Sequence, residues 1–338
     1  MSLFRTELRR LAKRRFARFA TLAGLLVLAA VLAGMFFTNQ KIDAAQLAKA
    51  ERAAEAEYQS QLRYVEQHRT ECEQAKAAGT ADEQRFPADC ADITPAPRES
   101  FQAEWHLPPT FVFRDGFGEM VIPFAAIMAL IGFVVGASFV GAEWSTGGMM
   151  NLLLWRPKRL TVLLTKLGAL LTGLLAVALP TAVLWAAGFW LVATFRGSTE
   201  GVTSGAWQSF ALTGLRGVTL ALVAAIIGFA LASLGRHTAM ALGGAIGVMI
   251  VGQVGLGILL GMSGVRFPEA WLLPTYVYAW MAKKVELQDW DACNVSYTGE
   301  CQPDVLEITW QQSSVLFAVA VTVILGAAMW FMRRRDIT

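Results

Sequence analysis

Residues 1–38 read MSLFRTELRRLAKRRFARFATLAGLLVLAAVLAGMFFT, in which a basic segment is followed at once by an apolar one. The apolar part runs from Ala17 to Phe37 and is interrupted only by Arg18. The apolar core of a signal peptide has about 7 to 15 residues, whereas about 20 are needed to cross a hydrocarbon layer about 30 Å thick. The length therefore predicts an uncleaved membrane span at residues 19–38.

The basic segment, residues 1–18, has the periodicity of an amphipathic helix. Apolar side chains recur in steps of three or four, at Phe4, Leu8, Leu11, Ala12, Phe16 and Phe19. Seven cations lie between them: Arg5, Arg9, Arg10, Lys13, Arg14, Arg15 and Arg18. We expect this helix to lie in the membrane interface with its cations among lipid phosphates, although the same residues also suit a simple basic flank of the first span. Both interpretations place the N-terminus in the cytoplasm.

The rest of the chain repeats this apolar character. Of its 338 residues, 55% are hydrophobic and 16% are charged, whereas a soluble domain has about 25% charged residues. Six segments are long and apolar enough to span a membrane: residues 19–38, 119–142, 161–193, 211–234, 239–262 and 313–332. The predicted fold is an all-α membrane protein with six transmembrane helices, an N-terminal amphipathic interfacial helix and an extracytoplasmic helical projection between spans 1 and 2.

The positions of Lys and Arg predict the orientation. Cations flank the spans at the ends assigned to the cytoplasm, at Arg156, Lys158, Arg159, Arg236, Arg333, Arg334 and Arg335. Residues 39–115, assigned to the outside, have nine Lys or Arg against fourteen Asp or Glu. Because cytoplasmic loops are enriched in Lys and Arg, both termini are expected in the cytoplasm.

Since nearly every dense basic cluster adjoins an apolar segment, we expect membrane lipid, and no nucleic acid, as a partner.

The predicted organisation has six parts: a cytoplasmic amphipathic helix at 1–18, span 1 at 19–38, the projection at 39–118, spans 2–5 at 119–262 with a cytoplasmic loop at 143–160, a re-entrant and disulfide-containing segment at 263–312, and span 6 with a basic tail at 313–338. In the projection, a helical stripe is formed by Leu47, Ala50, Ala54, Tyr58, Leu62 and Val65. In the segment 263–312, the aromatic stretch from Phe267 to Met281 is too short to span a membrane. It indicates a re-entrant or interfacial helix, or else an aromatic belt without a further role.

All four cysteines lie in segments assigned to the outside, at Cys72, Cys90, Cys293 and Cys301. An even number of cysteines on the oxidising side predicts disulfide bonds. Four cysteines allow three pairings, and the local pairing, Cys72–Cys90 with Cys293–Cys301, is favoured over bridges between the two outer segments. No CxxC spacing or adjacent histidine pair supports a zinc site, so no metal is expected.

The energy source for any transport is predicted to be external to this chain. No GxxxxGK[ST] phosphate-binding loop is present, so we do not expect this chain to hydrolyse ATP. The spans have no carboxylate at mid-depth, which argues against proton or sodium coupling. Their ionisable residues Lys166 and Arg216 are expected to snorkel towards the interface. In the glycine-rich fifth span, Gln253 is expected to pack rather than to contact a substrate.

The connection after the second span has the most specific pattern. Residues 141–159 read GAEWSTGGMMNLLLWRPKR, with a carboxylate, a short apolar element and a cationic turn, an order that suits a helix macrodipole. This pattern resembles the cytoplasmic loop of ATP-binding-cassette (ABC) transporter permeases of the type-2 exporter family. Glu143 and Gly147 match its Glu-x-x-x-Gly element, and its last turn is matched by Arg156, Pro157, Lys158 and Arg159. The similarity extends from the basic helix before span 1 to the ending FMRRRD at residues 331–336, although the outer segment after span 1 is longer than in many members.

The resemblance implies a permease subunit that forms the translocation path. A separate ABC ATPase would dock beneath the coupling segment, defined as residues 143–160, and would bind ATP and magnesium, while no cofactor is expected on this chain. Two permeases, as a homodimer or with a homologue, would work with two ATPase domains. The residues expected to couple the subunits are Glu143, Trp144, Ser145, Thr146, Gly147, Arg156, Pro157, Lys158 and Arg159. Glu143 is hypothesised to anchor the segment by a hydrogen bond or an ion pair at the ATPase interface.

The expected substrate is hydrophobic or amphipathic, because the spans lack charge at mid-depth, and export across a bacterial cytoplasmic (inner) membrane is favoured. No residue is assigned to the substrate path. The alternative function is that of a non-transporting membrane scaffold or sensor whose outer projection binds a ligand or a partner protein. An ATPase companion with nucleotide turnover would favour the transporter over the scaffold.

Overall fold

The computed structural model describes residues 3–79, 86–87, 89–155, 158–289 and 303–334. Its contacts divide the chain into two compact units. The first, called the span unit, comprises Met1–Ala33, Phe113–Trp190 and Glu200–Thr338, and the second, called the projection unit, comprises Gly34–Val112 and Leu191–Thr199. The apolar helices lie mainly in the span unit, whereas one long charged helix lies in the projection unit.

Helices account for most of the described chain. In chain order they are α1 (Leu3–Lys13), α2 (Arg15–Thr38), α3 (Ala44–Ala77), α4 (Phe113–Ser145), α5 (Gly148–Trp155), α6 (Arg159–Arg196), α7 (Ser204–Gly235), α8 (Thr238–Gly247), α9 (Leu256–Met262), α10 (Leu273–Ala282) and α11 (Trp310–Arg334). Short strands are β1 (Phe111–Val112), β2 (Gly197–Ser198), β3 (Lys284–Asp289) and β4 (Asp304–Thr309). Six helical segments are long and apolar enough to cross a membrane, namely α2, α4, α6, α7, the segment Thr238–Met262 and α11. This confirms the predicted six membrane helices.

Two spans begin earlier than their apolar segments. α4 begins at Phe113 rather than near residue 119, and α7 begins at Ser204 rather than near residue 211. In the added turn of α4 the rings of Phe113 and Phe117 stack with centroids 4.7 Å apart. Thr203 caps α7, because its hydroxyl accepts a hydrogen bond from the N–H of Ala206 at 3.3 Å. Local packing and capping, which hydropathy does not register, therefore set these two helix ends.

The core of the span unit is the contact between α4 and α7. Half of the most apolar window of each helix is buried. Small residues allow the close approach, since a Cβ at Gly136 would collide with the carbonyl oxygen of Ala225, and a Cβ at Gly228 with that of Phe133. Apolar helices in lipid associate through such close backbone contact, because the hydrophobic effect does not drive them together there.

The fifth span differs from α4 and α7, because none of its most apolar window is buried. Between α8 and α9 it contains the π-helical segment Val248–Gly255, a wide-turn geometry that the sequence did not predict. Within that segment, Gln253 Oε1 accepts a hydrogen bond from the backbone N–H of Leu273 at 2.6 Å. Leu273 is the first residue of α10. Gln253 therefore joins the fifth span to α10, which agrees with the packing role expected for it.

A two-stranded sheet follows α10. β3 and β4 pair antiparallel from Lys284 opposite Thr309 to Asp289 opposite Asp304, a local exception to a helical fold that the sequence did not predict. Arg266 Nε lies 3.1 Å from Asp289 Oδ2, and its Nη2 also pairs with Asp304. The hydrogen bond to Asp289 makes the largest contribution to raising the pKa of the Arg266 guanidinium, and the hydrogen bond to Asp304 makes the next largest. The predicted Cys293–Cys301 bridge falls in residues 290–302, outside the described residues, and stays a prediction.

α3, with 34 residues, is the main element of the projection unit. It begins with a capping box, in which the Asp43 carboxylate accepts a hydrogen bond from Gln46 N–H at 2.7 Å and Gln46 Oε1 accepts one from Asp43 N–H at 3.1 Å. It ends at Ala77, and Gly79 has a φ of +70°, a left-handed conformation that favours glycine. Local sequence therefore sets both ends of α3.

The chain that follows α3 packs back on the buried face of this helix. Ala50, Ala54 and Val65 of the predicted stripe are buried. Cys72 and Cys90 form a disulfide with their Cα atoms 5.9 Å apart. This is the first bridge of the favoured local pairing. The extracytoplasmic location of the projection unit stays a prediction.

Candidate functional site

Five charged side chains meet where α1, α4 and α6 come together. They are called the charge cluster and comprise Glu7, Arg10, Arg14, Glu143 and Lys166. Glu7 and Arg10 lie on α1, Arg14 lies between α1 and α2, Glu143 lies near the end of α4 and Lys166 near the start of α6. The side chains of Glu7 and Lys166 are 0% exposed, and that of Glu143 is 11% exposed. Charges buried to this extent need partners, because each loses its hydration.

Lys166 is at the centre of the cluster. Its Nζ donates a hydrogen bond to Glu7 Oε2 at 2.5 Å and lies 2.6 Å from Glu143 Oε2. The contact with Glu143 is an ion pair whose geometry is not that of an aligned hydrogen bond. Lys166 Nζ also lies 5.1 Å from the centroid of the buried Phe139 ring. Two carboxylates and an aromatic face therefore surround one ammonium group.

Arg14 joins the cluster to α4. Its Nη2 donates a hydrogen bond to Glu143 Oε1 at 2.8 Å, and its Nη1 donates one to the carbonyl oxygen of Ser138 at 2.8 Å. The guanidinium lies 5.2 Å from the centroid of the Phe139 ring. Because Arg14 is the residue between α1 and α2, these contacts hold the junction of the two helices against α4.

The amphipathic helix α1 packs on α6. Leu11 is buried, and a Cβ at Gly173 would lie 2.7 Å from Leu11 Cδ2, so glycine at this position allows the close approach. Glu7 lies on the same side of α1, and its Oε1 accepts a hydrogen bond from Arg10 Nη1 at 3.1 Å. The apolar face of α1 is thus in part a protein contact, in addition to any contact with lipid.

The expectation that Lys166 snorkels is wrong, because its side chain is fully buried and paired. Glu7, the carboxylate to which Lys166 donates its hydrogen bond, was not predicted from the sequence. The two residues are 159 positions apart and meet only when α1 packs on α6. A signal for Glu7 was nevertheless present, since it is the one acid among residues 1–18 and lies at helical spacing with Phe4, Leu8 and Leu11.

Arg216, the other ionisable residue expected to snorkel, is held among aromatic side chains. Its guanidinium carbon lies 5.1 Å from the centroid of the Trp310 ring. Its backbone carbonyl accepts a hydrogen bond from Trp280 Nε1 at 2.9 Å. Its Nη1 is buried and has no hydrogen-bond partner among the residues that the structure describes. The Arg216 side chain is thus only partly exposed.

The coupling segment has an inward and an outward side. α4 ends at Ser145, Gly147 adopts a φ of +72°, and α5 follows. Glu143 points into the charge cluster. The guanidinium carbon of Arg236 lies 4.9 Å from the centroid of the Trp144 ring. The outward side presents exposed side chains, namely Ser145, Thr146, Leu154 and Lys158.

The predicted coupling residues do not all meet at one point. Arg159 Nη1 lies 3.4 Å from the carbonyl oxygen of Met332, so this residue is outside the charge cluster. Arg156 and Pro157 lie outside the described residues. Among the described residues, Glu143 forms ion pairs with Arg14 and Lys166. The predicted contact of the segment with an ATPase stays a prediction.

A basic cavity of about 760 Å³ lies between α1 and the coupling segment. Its lining comprises Thr6, Arg9, Arg10, Lys13, Arg14, Glu143, Gly148, Asn151 and Leu152. Four of these residues are cationic and one, Glu143, is acidic. Since Glu143 is paired with Arg14 and Lys166, the open face of the cavity is positive.

The six apolar helices and the basic helix that packs on them define a multi-pass membrane protein. The chain belongs to the family described as ABC-2 family transporter protein, which matches residues 1–334. It is therefore a membrane permease of an ABC transporter, which confirms the resemblance seen in the coupling segment. Permeases of this family are generally non-catalytic, and ATP is hydrolysed by a separate subunit. Searches of curated proteins and of solved structures find none that matches this chain.

Proposed function

We propose that this permease transmits ATP-driven movement of a separate ATPase subunit to its spans through the coupling segment. The observation that carries the proposal is the pairing of Glu143, the first residue of that segment, with Arg14 and Lys166. Through these contacts a push on the segment reaches the α1–α2 junction and the start of α6 together. The movement is a shift between two packings of the spans, biased by the nucleotide state of the ATPase.

The ATPase contacts the outward side of the coupling segment. Leu154 is 81% exposed there, beside exposed polar side chains, and is therefore open to contact with a partner. The basic cavity next to it presents Arg9 and Lys13, besides the paired Arg10 and Arg14, to an acidic surface of the ATPase. In this arrangement Glu143 acts inside the permease, where it orients the segment, rather than at the ATPase interface.

The permease spans a bacterial cytoplasmic membrane with the coupling segment, α1 and both termini in the cytoplasm and α3 outside. The distribution of Lys and Arg supports this orientation. ATP and magnesium bind to the ATPase, because this chain has no phosphate-binding loop. The substrate is hydrophobic or amphipathic and is exported. A cavity of about 370 Å³ between α4, α6 and α7, lined by aromatic and aliphatic side chains, supports an apolar substrate.

Two copies of the permease, or one copy with a homologue, form the translocation path. The fifth span supports this assembly, because none of its most apolar window is buried within the chain. A Cβ at Gly243, Gly244, Gly247 or Gly261 would have no described heavy atom within 4 Å. Glycine-rich faces of this kind allow close packing of helices in a membrane.

The test combines co-purification with a matched pair of variants. The tagged permease is purified in mild detergent with its ATPase and reconstituted, and nucleotide turnover is measured. Glu143→Gln removes the one carboxylate of the coupling segment, while Glu7 still pairs with Lys166, so the protein is expected to fold. Glu119→Gln removes an exposed carboxylate from the same helix, α4, and is the control.

We expect the ATPase to co-purify with both variants. Stimulation of its turnover by the permease should fall at least about fivefold in Glu143→Gln, the lower end of typical coupling energies, and should be retained in Glu119→Gln. Unchanged stimulation in Glu143→Gln would contradict the role of the charge cluster. A companion protein without nucleotide chemistry would instead favour a scaffold or sensor.

A further inference from the structure

A second, apolar cavity is lined in part by α1, contains none of the five residues of the charge cluster and has no part in the proposed coupling. This apolar groove has a volume of about 430 Å³ and is lined by α1, α2, α4 and α6. Its walls include Leu11, Leu22, Val135, Leu174 and Val177. Because the chain is a membrane protein, a groove with such walls between its spans is exposed to lipid rather than filled by water.

One cation, Arg18, lines this apolar groove. Arg18 Nε donates a hydrogen bond to the carbonyl oxygen of Ala12 at 2.7 Å, which fixes the stem of the side chain. No described residue forms an ion pair with Arg18, and its side chain is exposed. Its two terminal nitrogens are therefore free to donate to an anion, in the forked geometry that suits a phosphate group.

No acidic residue among residues 1–18 is available to pair with the positive charge of Arg18. Residues 1–18 have seven cations and one acid, Glu7. The Glu7 carboxylate is already occupied, by Lys166 on one oxygen and by Arg10 on the other. An anion for Arg18 must therefore come from outside this segment, and anionic lipid headgroups are the anions that a basic segment at a membrane surface meets.

We propose that the apolar groove binds one acyl chain of an anionic phospholipid, whose phosphate is held by Arg18. The chain of the lipid fills the space between α1 and the spans, and the headgroup neutralises the cation at the groove. Such a lipid stabilises the packing of α1 on α6 and with it the position of Glu7. This site goes beyond the proposed coupling and depends only on the location of the chain in a membrane.

The first test compares two neighbouring cations. The full-length permease, with any ATPase that co-purifies, is extracted in mild detergent, and retained lipid is counted by native mass spectrometry with added phosphatidylglycerol, phosphatidylcholine or palmitate. We expect phosphatidylglycerol to be retained preferentially. Arg18→Gln should lower its retention about fivefold, the usual contribution of one cation near anionic lipid. Arg15→Gln, which removes an exposed cation three residues away outside the groove, should leave retention unchanged.

A second pair of variants tests the groove independently of charge. Val177→Trp places a large side chain in the groove and should also reduce retention, whereas Leu184→Trp adds the same side chain at an exposed position of α6 outside the groove and should not. Equal retention of phosphatidylglycerol and phosphatidylcholine, equal losses in Arg15→Gln and Arg18→Gln, or equal losses in the two tryptophan variants would overturn the proposal. Equal retention of palmitate would overturn the assignment to a phospholipid.

Discussion

At Lys166 one ammonium group is shared by two carboxylates from different helices, Glu7 of α1 and Glu143 of α4. A buried ion pair adds little net stability compared with well-packed apolar side chains, but loss of one member leaves the others buried without compensation. We therefore expect the charge cluster to contribute mainly to the positions of α1 and of the start of the coupling segment.

Lys166→Met should lower the free energy of unfolding by about 3–5 kcal/mol, because Glu7 and Glu143 lose their common partner in a place that excludes water. Equilibrium unfolding in mixed micelles, followed by tryptophan fluorescence, measures the change. Adding Glu7→Gln and Glu143→Gln to Lys166→Met removes the two carboxylates that lost this partner and should restore most of the loss. A triple variant as unstable as the single one would show that charge pairing is not what the cluster contributes.

At the scale of the elements, α4 and α7 form the most closely packed pair of helices in the described part of the span unit. Their backbones approach at glycines, so that Gly136 faces the carbonyl oxygen of Ala225 and not a side chain that is able to move aside. In lipid this close contact is the main source of attraction between apolar helices. Other spans pack less closely, and the fifth span has the least buried surface of the six.

Gly136→Ala should lower stability by about 1–3 kcal/mol, because the added methyl group forces α4 and α7 apart. The measurement is again equilibrium unfolding in mixed micelles. Gly214→Ala on α7 is the control, since its new Cβ would meet no described heavy atom within 4 Å. Because alanine favours a helix over glycine, the control should be neutral or more stable by up to about 1 kcal/mol. A larger loss in the control than in Gly136→Ala would contradict this account of the packing.

The helices and strands also show which features of the fold are predictable from the sequence. The six spans were predicted because apolar length is a local property of the chain, and the end of α3 near Gly79 follows from local turn chemistry. The early starts of α4 and α7, the pairing of β3 with β4, and the docking of α1 were missed, because each depends on partners distant in sequence or on a cap. At the candidate site, Glu143 was found from its motif, whereas Glu7 required knowledge of where α1 packs.

At the scale of the whole molecule, the side of the membrane on which each segment lies decides which partners it meets. The coupling segment lies in the span unit, and α3 lies in the projection unit. The charges of these segments predict that the first faces the cytoplasm and the second the outside. In that orientation the proposed ATPase and the proposed anionic lipid both lie on the cytoplasmic side.

Thiol labelling tests this orientation. In a background with Cys293→Ser and Cys301→Ser, a membrane-impermeant maleimide should modify Arg63→Cys, an exposed position of α3, in intact spheroplasts. Lys158→Cys in the coupling segment should react only after the membrane is opened. Native Cys72 and Cys90 are joined in a disulfide and do not compete for the reagent. The reverse pattern would invert the topology and remove the ATPase from the coupling segment.

The hydrogen bond from Leu273 N–H to Gln253 links the fifth span to a helix that does not cross the membrane. A π-helical turn has more residues than an α-helical one, so tightening of the segment Val248–Gly255 would rotate Gln253 away from α10. An amide without a partner is costly in hydrocarbon. If this hydrogen bond is kept while the span rewinds, α10 moves with the span, so that a twist along one axis becomes a displacement at the membrane surface.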